Sequence, residues 1–95
     1  SLLYKARGKY EEAAPLLQRS ISIGEQVLGS EHPDVATWLN NLAALYADEG
    51  KYEEAEPLYL RAIAIAEKAL GQEHPSTMAY RDNYEMFLKN KQEHG

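Results

Sequence analysis

Cysteine is absent from the chain. Its absence excludes a disulfide framework, a thiol nucleophile and a thiolate metal site, and makes a reducing cytoplasm the default location. Basic residues are scarce as well. Lys and Arg number 10 against 15 Asp and Glu, giving a net charge of −5 and a pI near 5.1. Nucleic-acid phosphates and anionic lipid headgroups call for clustered cations, so neither nucleic acid nor membrane is an expected partner. No apolar run approaches the roughly 20 residues that span a bilayer, and the opening Ser1-Leu2-Leu3-Tyr4-Lys5 lacks the regions of a signal peptide. There is no Gly-rich phosphate loop, no Ser/His/Asp arrangement and no His-x-x-x-His pair. The expectation is a protein that is not an enzyme and takes no cofactor.

What is present is a repeat. With 44% hydrophobic and 26% charged residues the chain has the composition of a folded domain. An offset of 42 residues lays Gly8-Lys9-Tyr10-Glu11-Glu12-Ala13 on Gly50-Lys51-Tyr52-Glu53-Glu54-Ala55 without a mismatch. Pro15 and Leu16 then meet Pro57 and Leu58. Arg19, Ile21, Ile23, Glu25, Leu28 and Gly29 meet Arg61, Ile63, Ile65, Glu67, Leu70 and Gly71, and Glu31-His32-Pro33 meets Glu73-His74-Pro75. The 95 residues hold a little over two such periods.

Each period reads as a helix pair. Pro33 suits a helix's first turn, and Val35, Leu39, Leu42, Ala43 and Tyr46 follow at three-and-four spacing, which makes helix A. Gly50 supplies the left-handed stop. Helix B starts near Tyr52, with Glu53 and Glu54 at the positive end of its dipole, and runs to about Leu70 before Gly71. The stretch Ala62-Ile63-Ala64-Ile65-Ala66 is apolar nearly all round and should be contacted on two sides. Pro15 and Pro57 should each remove one backbone hydrogen bond and bend helix B. Apolar faces that only a neighbouring pair can cover make stacking the solution, so the expected fold is an all-α solenoid of antiparallel helix pairs. The expected units are residues 1–33, a truncated first repeat with the end of a helix A and a helix B; 34–75, a complete repeat; and 76–95, a C-terminal capping helix and tail.

The pattern Leu39, Leu42-Ala43, Tyr46, Gly50, Tyr52, Ala55, Tyr59, Ala62 resembles the tetratricopeptide repeat. The 42-residue period, the Leu-Gly-x-Glu-His-Pro junction and Leu39-Asn40-Asn41-Leu42-Ala43 look like its kinesin-light-chain subtype. The resemblance spans essentially the whole chain. It implies about five helices in a right-handed superhelical stack and a scaffold that binds a protein or extended peptide on its concave helix-A surface. In that subtype, helix-A asparagines hydrogen-bond the peptide backbone, which by resemblance nominates Asn40, Asn41 and Asn83. Arg81, Glu85 and Asp82 depart from the repeat's pattern in a way that fits a terminal helix with a soluble outer face. Leu2, Leu3, Tyr4 and Gly8 match Ala44, Leu45, Tyr46 and Gly50, so the chain is expected to begin inside a helix A. The helix from Tyr10 to Leu28 should then keep an incompletely covered apolar face, and a homodimer through this N-terminal half is the expected consequence.

On a helical wheel Thr37, Asn40, Asn41, Ala44 and Asp48 lie opposite the Leu42 and Tyr46 stripe, and Asp82, Asn83, Met86, Lys89 and Asn90 repeat that side one period later. The candidate peptide groove is therefore Thr37, Asn40, Asn41, Ala44, Asp48, Asn83, Met86, Lys89 and Asn90. It is near neutral, with Lys5 and Lys89 offset by Asp48 and Asp82. The plainer account is a solvated polar face. Trp38 and its counterpart Tyr80 read as packing between repeats before they read as ligand anchors. His32 and His74 stand about 10 Å apart by helix-pair spacing, too far for a shared metal, and read as turn chemistry ahead of Pro33 and Pro75. Glu11-Glu12 and Glu53-Glu54 could be imagined as paired catalytic carboxylates, but a first-turn place already explains them. A second class of function, an architectural module that joins subunits or domains, stands beside peptide binding.

Overall fold

The computed structural model describes the backbone of residues 2–94 and the side chains of residues 13–93. Among the described residues there are four helices and no strand: α1 (Leu2–Val27), α2 (Pro33–Asp48), α3 (Tyr52–Leu70) and α4 (Pro75–His94). Helices α2 and α3 form the tightest pair, α1 packs on α2, α4 packs on α3, and α2 also touches α4.

The punctuation in the sequence sets the ends of α2 and α3. Pro33 opens α2, and the helix closes when the amide of Lys51 bonds the Tyr46 carbonyl at 2.8 Å and that of Gly50 bonds Ala47 at 3.0 Å. This six-to-one and five-to-two pair requires a residue at positive φ, and Gly50 supplies it at 81°. Helix α3 then starts at Tyr52, with Glu53 and Glu54 in its first turn as expected, and accommodates Pro57 without interruption.

The helix count differs from expectation. About five helices were anticipated, with Gly8 ending a helix A as Gly50 does; instead α1 continues through Gly8 and Pro15. A glycine inside a helix is unfavourable by only about 1 kcal/mol relative to alanine. At Gly50, by contrast, two long helices clamp the turn. The C-terminal stretch expected to end in a frayed tail is helical to His94.

His32 and His74 do serve as turn chemistry. The Nδ1 of His32 accepts from the Asp34 amide at 3.1 Å, and the Nδ1 of His74 accepts from the Ser76 amide at the same distance. Each imidazole thus satisfies one of the unpaired donors at its helix's start. Replacing His32 by alanine should destabilise the fold by about 1 kcal/mol. His32→Asn, whose Oδ1 can take the same bond, should recover most of that loss; thermal unfolding followed by circular dichroism reads both.

The core lies along α2. Val35, Ala36, Leu39, Leu42 and Ala43 are all buried, against Ala14 and Ile21 from α1 and Ala55, Tyr59, Ala62, Ile65 and Ala66 from α3. Ala43 and Ala55 belong to the same cluster, and small residues there let α2 and α3 approach closely. In the alanine-rich stretch Ala62, Ile65 and Ala66 are buried along one face and Ile63 is half-buried, whereas Ala64 is exposed. Between α3 and α4 the core is aromatic: Phe87 lies 5.2 Å from Tyr59, 5.8 Å from Tyr52 and 5.9 Å from Tyr84, ring centre to ring centre.

Trp38 is a packing residue, half-buried over α1. Its ring lies on Gly24, where a Cβ would stand 2.3 Å from Trp38 Cζ3. One period on, Ala66 and Tyr80 hold the equivalent positions in the same core cluster, so a slightly larger residue on helix B accompanies a smaller aromatic on the next helix A.

Candidate functional site

Helices α2 and α4 lie side by side, tied by two polar contacts. The hydroxyls of Thr37 and Tyr80 are 2.9 Å apart, and Asn83 Nδ2 donates to Asn40 Oδ1 at 3.3 Å. Both pairs are 43 residues apart, one more than the period. Thr37 also donates to the carbonyl of Pro33 at 3.3 Å, the local bond available to a threonine inside a helix.

The nine groove candidates divide on burial. Asn40 is only 8% exposed, so its amide joins α2 to α4 rather than facing solvent. Ala44 is half-buried. Thr37, Asn41, Asp48, Asn83, Met86, Lys89 and Asn90 are exposed, with Met86 at 59%. Asn83 spends one N–H on Asn40 and keeps its carbonyl and second N–H for other partners. The Lys5 side chain, counted above in the charge balance, lies outside the described residues.

Perturbed titrations sit elsewhere, where α3 meets α4. Lys91 Nζ donates to Glu56 Oε1 at 2.9 Å and the Tyr84 hydroxyl donates to Glu56 Oε2 at 3.1 Å. The Lys91 hydrogen bond, then that from Tyr84, hold the Glu56 carboxyl below its ordinary value, and the same carboxylate raises Lys91. Burial first, and then Glu56, push the Tyr84 phenol up. These are clasps between helices, since each group is already engaged. Lys51 is raised by its hydrogen bond to Glu49, the exposed ammonium lying 3.1 Å from a half-buried carboxylate.

A cleft of about 320 Å³ lies between α1 and α3, a feature the sequence reading missed. Leu39 and Leu42 of α2 form its floor. Gln18 Nε2 donates to the Tyr46 hydroxyl along one edge, and the Arg61 guanidinium meets Glu25 at 2.5 Å along another. A signal was available: an arginine and a glutamate recur at the same places in both periods, as pairing between successive B helices requires. In the second period Glu67 is held by Arg81 of α4.

Among the described residues no group of three or more His, Cys, Asp or Glu could hold a metal ion, and no helix is long and apolar enough to cross a membrane. The arrangement offers amides, a thioether and mixed charges on one helical face. A family model for the tetratricopeptide repeat matches residues 1–68 and again 34–85. Such repeats are generally protein-interaction scaffolds, typically without catalytic activity. The match covers most of the chain and agrees with the helix pairs described above: the protein belongs to the tetratricopeptide repeat family.

Proposed function

We propose that the chain is a peptide-binding scaffold of the kinesin-light-chain-like subtype, acting in the cytoplasm on an extended peptide laid across α2 and α4. The observation that carries this reading is the joined pair of helix-A faces. Asn40 and Asn83 tie them, and the exposed Asn41, Asp48, Met86, Lys89 and Asn90 stand around the joint. Among the described residues α2 touches α4 while α1 and α3 meet only through side chains, which supports α2 and α4 as the inner, concave row. Amides there can pair with a peptide backbone without selecting strongly among side chains. The mixed charges of Asp48, Asp82 and Lys89 favour a peptide of no strong net charge over an acidic one. Residues 1–33, 34–75 and 76–95 are then the successive repeat units, with α1 and α3 as B helices and α4 as the terminal helix A.

The test is a panel of extended peptides selected by display on the wild-type chain and then titrated against variants. Asn41→Ala should weaken capture about tenfold, the loss of roughly one hydrogen-bonding group, and leave the melting temperature unchanged because the side chain is exposed. Unaltered affinity for every selected peptide would sink the reading. Asn83→Ala is the less clean variant, because it also strips the buried Asn40 amide of its partner.

A second reading, a self-association module, is favoured by a different observation. Leu16, Ile23 and Val27 of α1 are 63%, 54% and 74% exposed, a row of large aliphatic side chains facing solvent.

A further inference from the structure

Two ties join α2 to α4, and they differ in what they leave for a ligand. The Thr37 and Tyr80 hydroxyls, 2.9 Å apart, meet above a core cluster to which Leu39 and Tyr80 both belong. The Asn40–Asn83 contact lies one turn further along and joins a buried amide to an exposed one, with Asn40 at 8% exposure. An exposed asparagine ordinarily turns its amide over at little cost and offers donor or acceptor in either direction. Asn83 lacks that freedom. Its Nδ2 donates to Asn40 Oδ1 at 3.3 Å, so the N–H2 end is held toward α2 and the carbonyl is turned away from it. Reversing Asn83 alone would set oxygen against oxygen, and reversing both would turn a buried amide within its packing.

We propose that Asn40 is a positioning residue for peptide binding: it fixes the Asn83 amide with its carbonyl outward, so that the bound segment must present a backbone N–H at that place. The inference rests on the reading of α2 and α4 as the peptide groove and gives that groove a polarity. Asn40 is buried and does not meet the peptide itself. The partner segment is extended, and its residue over Asn83 is not proline, which has no N–H to give.

Ester-substituted peptides test this. In a peptide selected by display on the wild-type chain, each backbone N–H in turn is replaced by an ester oxygen, which removes one donor with little change of shape. At the residue over Asn83 the ester should weaken binding about fivefold, because its oxygen then faces Asn83 Oδ1. Asn40→Leu is close to asparagine in shape and has no acceptor, so in that variant the Asn83 amide can turn its N–H2 toward the ester. The penalty there should shrink to less than about twofold. A merely structural role for Asn40 would lower the ester and amide affinities together and leave their ratio as it was.

A second measurement needs neither a peptide nor a variant. In nitrogen relaxation of the wild-type chain, each side-chain amide is compared with its own backbone. The exposed Asn90 should fall below an order parameter of about 0.6, and Asn83 should stand clearly above it. An Asn83 amide as mobile as that of Asn90, a wild-type scan in which no ester matters, or an unchanged ratio in folded Asn40→Leu would overturn the inference alone and leave peptide capture standing. Failure of every displayed peptide to bind would overturn it together with the groove reading.

Discussion

Gly24→Ala should lower the stability of the chain by about 2 kcal/mol, although alanine is the better helix former. The added methyl would stand 2.3 Å from Trp38 Cζ3 and 3.2 Å from Cε3 and Cη2, well inside van der Waals contact. The indole or the whole of α1 must shift. Overpacking of this kind costs about 1 to 3 kcal/mol, against which the helix-propensity gain of about 1 kcal/mol is smaller. In a domain of this size the loss corresponds to a fall in melting temperature of about 10 °C. The repeat itself supplies the rescue, since Ala66 and Tyr80 hold the equivalent positions. Trp38→Tyr in the Gly24→Ala background should recover more than about 1 kcal/mol relative to the sum of the single changes. A double-mutant cycle measured by chemical denaturation checks this; strictly additive effects would mean that Trp38 does not rest on Gly24.

Leu39→Ala should cost about 3 kcal/mol. Leu39 is 1% exposed and is one of the largest fully buried side chains. It shares a cluster with Ile21 of α1 and Ala62 and Ile65 of α3, so truncating it opens a hole where three helices meet. The body of α2 stands between α1 and α3 and limits how far they can close on the hole. For a domain whose net stability is on the order of 5 to 10 kcal/mol, such a loss should populate the unfolded state measurably near body temperature. Equilibrium denaturation gives the value, and a change under about 1 kcal/mol would show that the site relaxes to fill the space.

The middle of the fold was legible because its signals are local. Pro33, Gly50 and Gly71 bracket α2 and α3, and the three-and-four spacing of Val35, Leu39, Leu42 and Ala43 picked out buried residues. At Gly8 the flanking letters copy those of Gly50, yet the backbone runs on as helix, so the letters around one glycine did not report a stop. The His32 and His74 caps were placed in turns by sequence, but their bonds were not foreseen, since histidine is not among the favoured capping residues. Asn40 shows the limit of a helical wheel. The wheel put it on the polar side of α2 correctly, yet α4 crosses that side and buries it, and only the position of the neighbouring helix decides which polar residues remain open. The Glu56–Tyr84–Lys91 clasp escaped notice because its members are not matched between the two periods.

The pairing of Gly24 with Trp38 and of Ala66 with Tyr80 also bears on how freely such modules can be shuffled. A duplication that set the Trp38-bearing helix against Ala66 would force the indole onto a methyl group. One that set the Tyr80-bearing helix against Gly24 would leave a gap beside the smaller ring. Repeats that look interchangeable by their shared Gly-Lys-Tyr-Glu-Glu-Ala opening are thus distinguished at their junctions, and the order in which they can follow one another is fixed by the fit between the end of one and the start of the next.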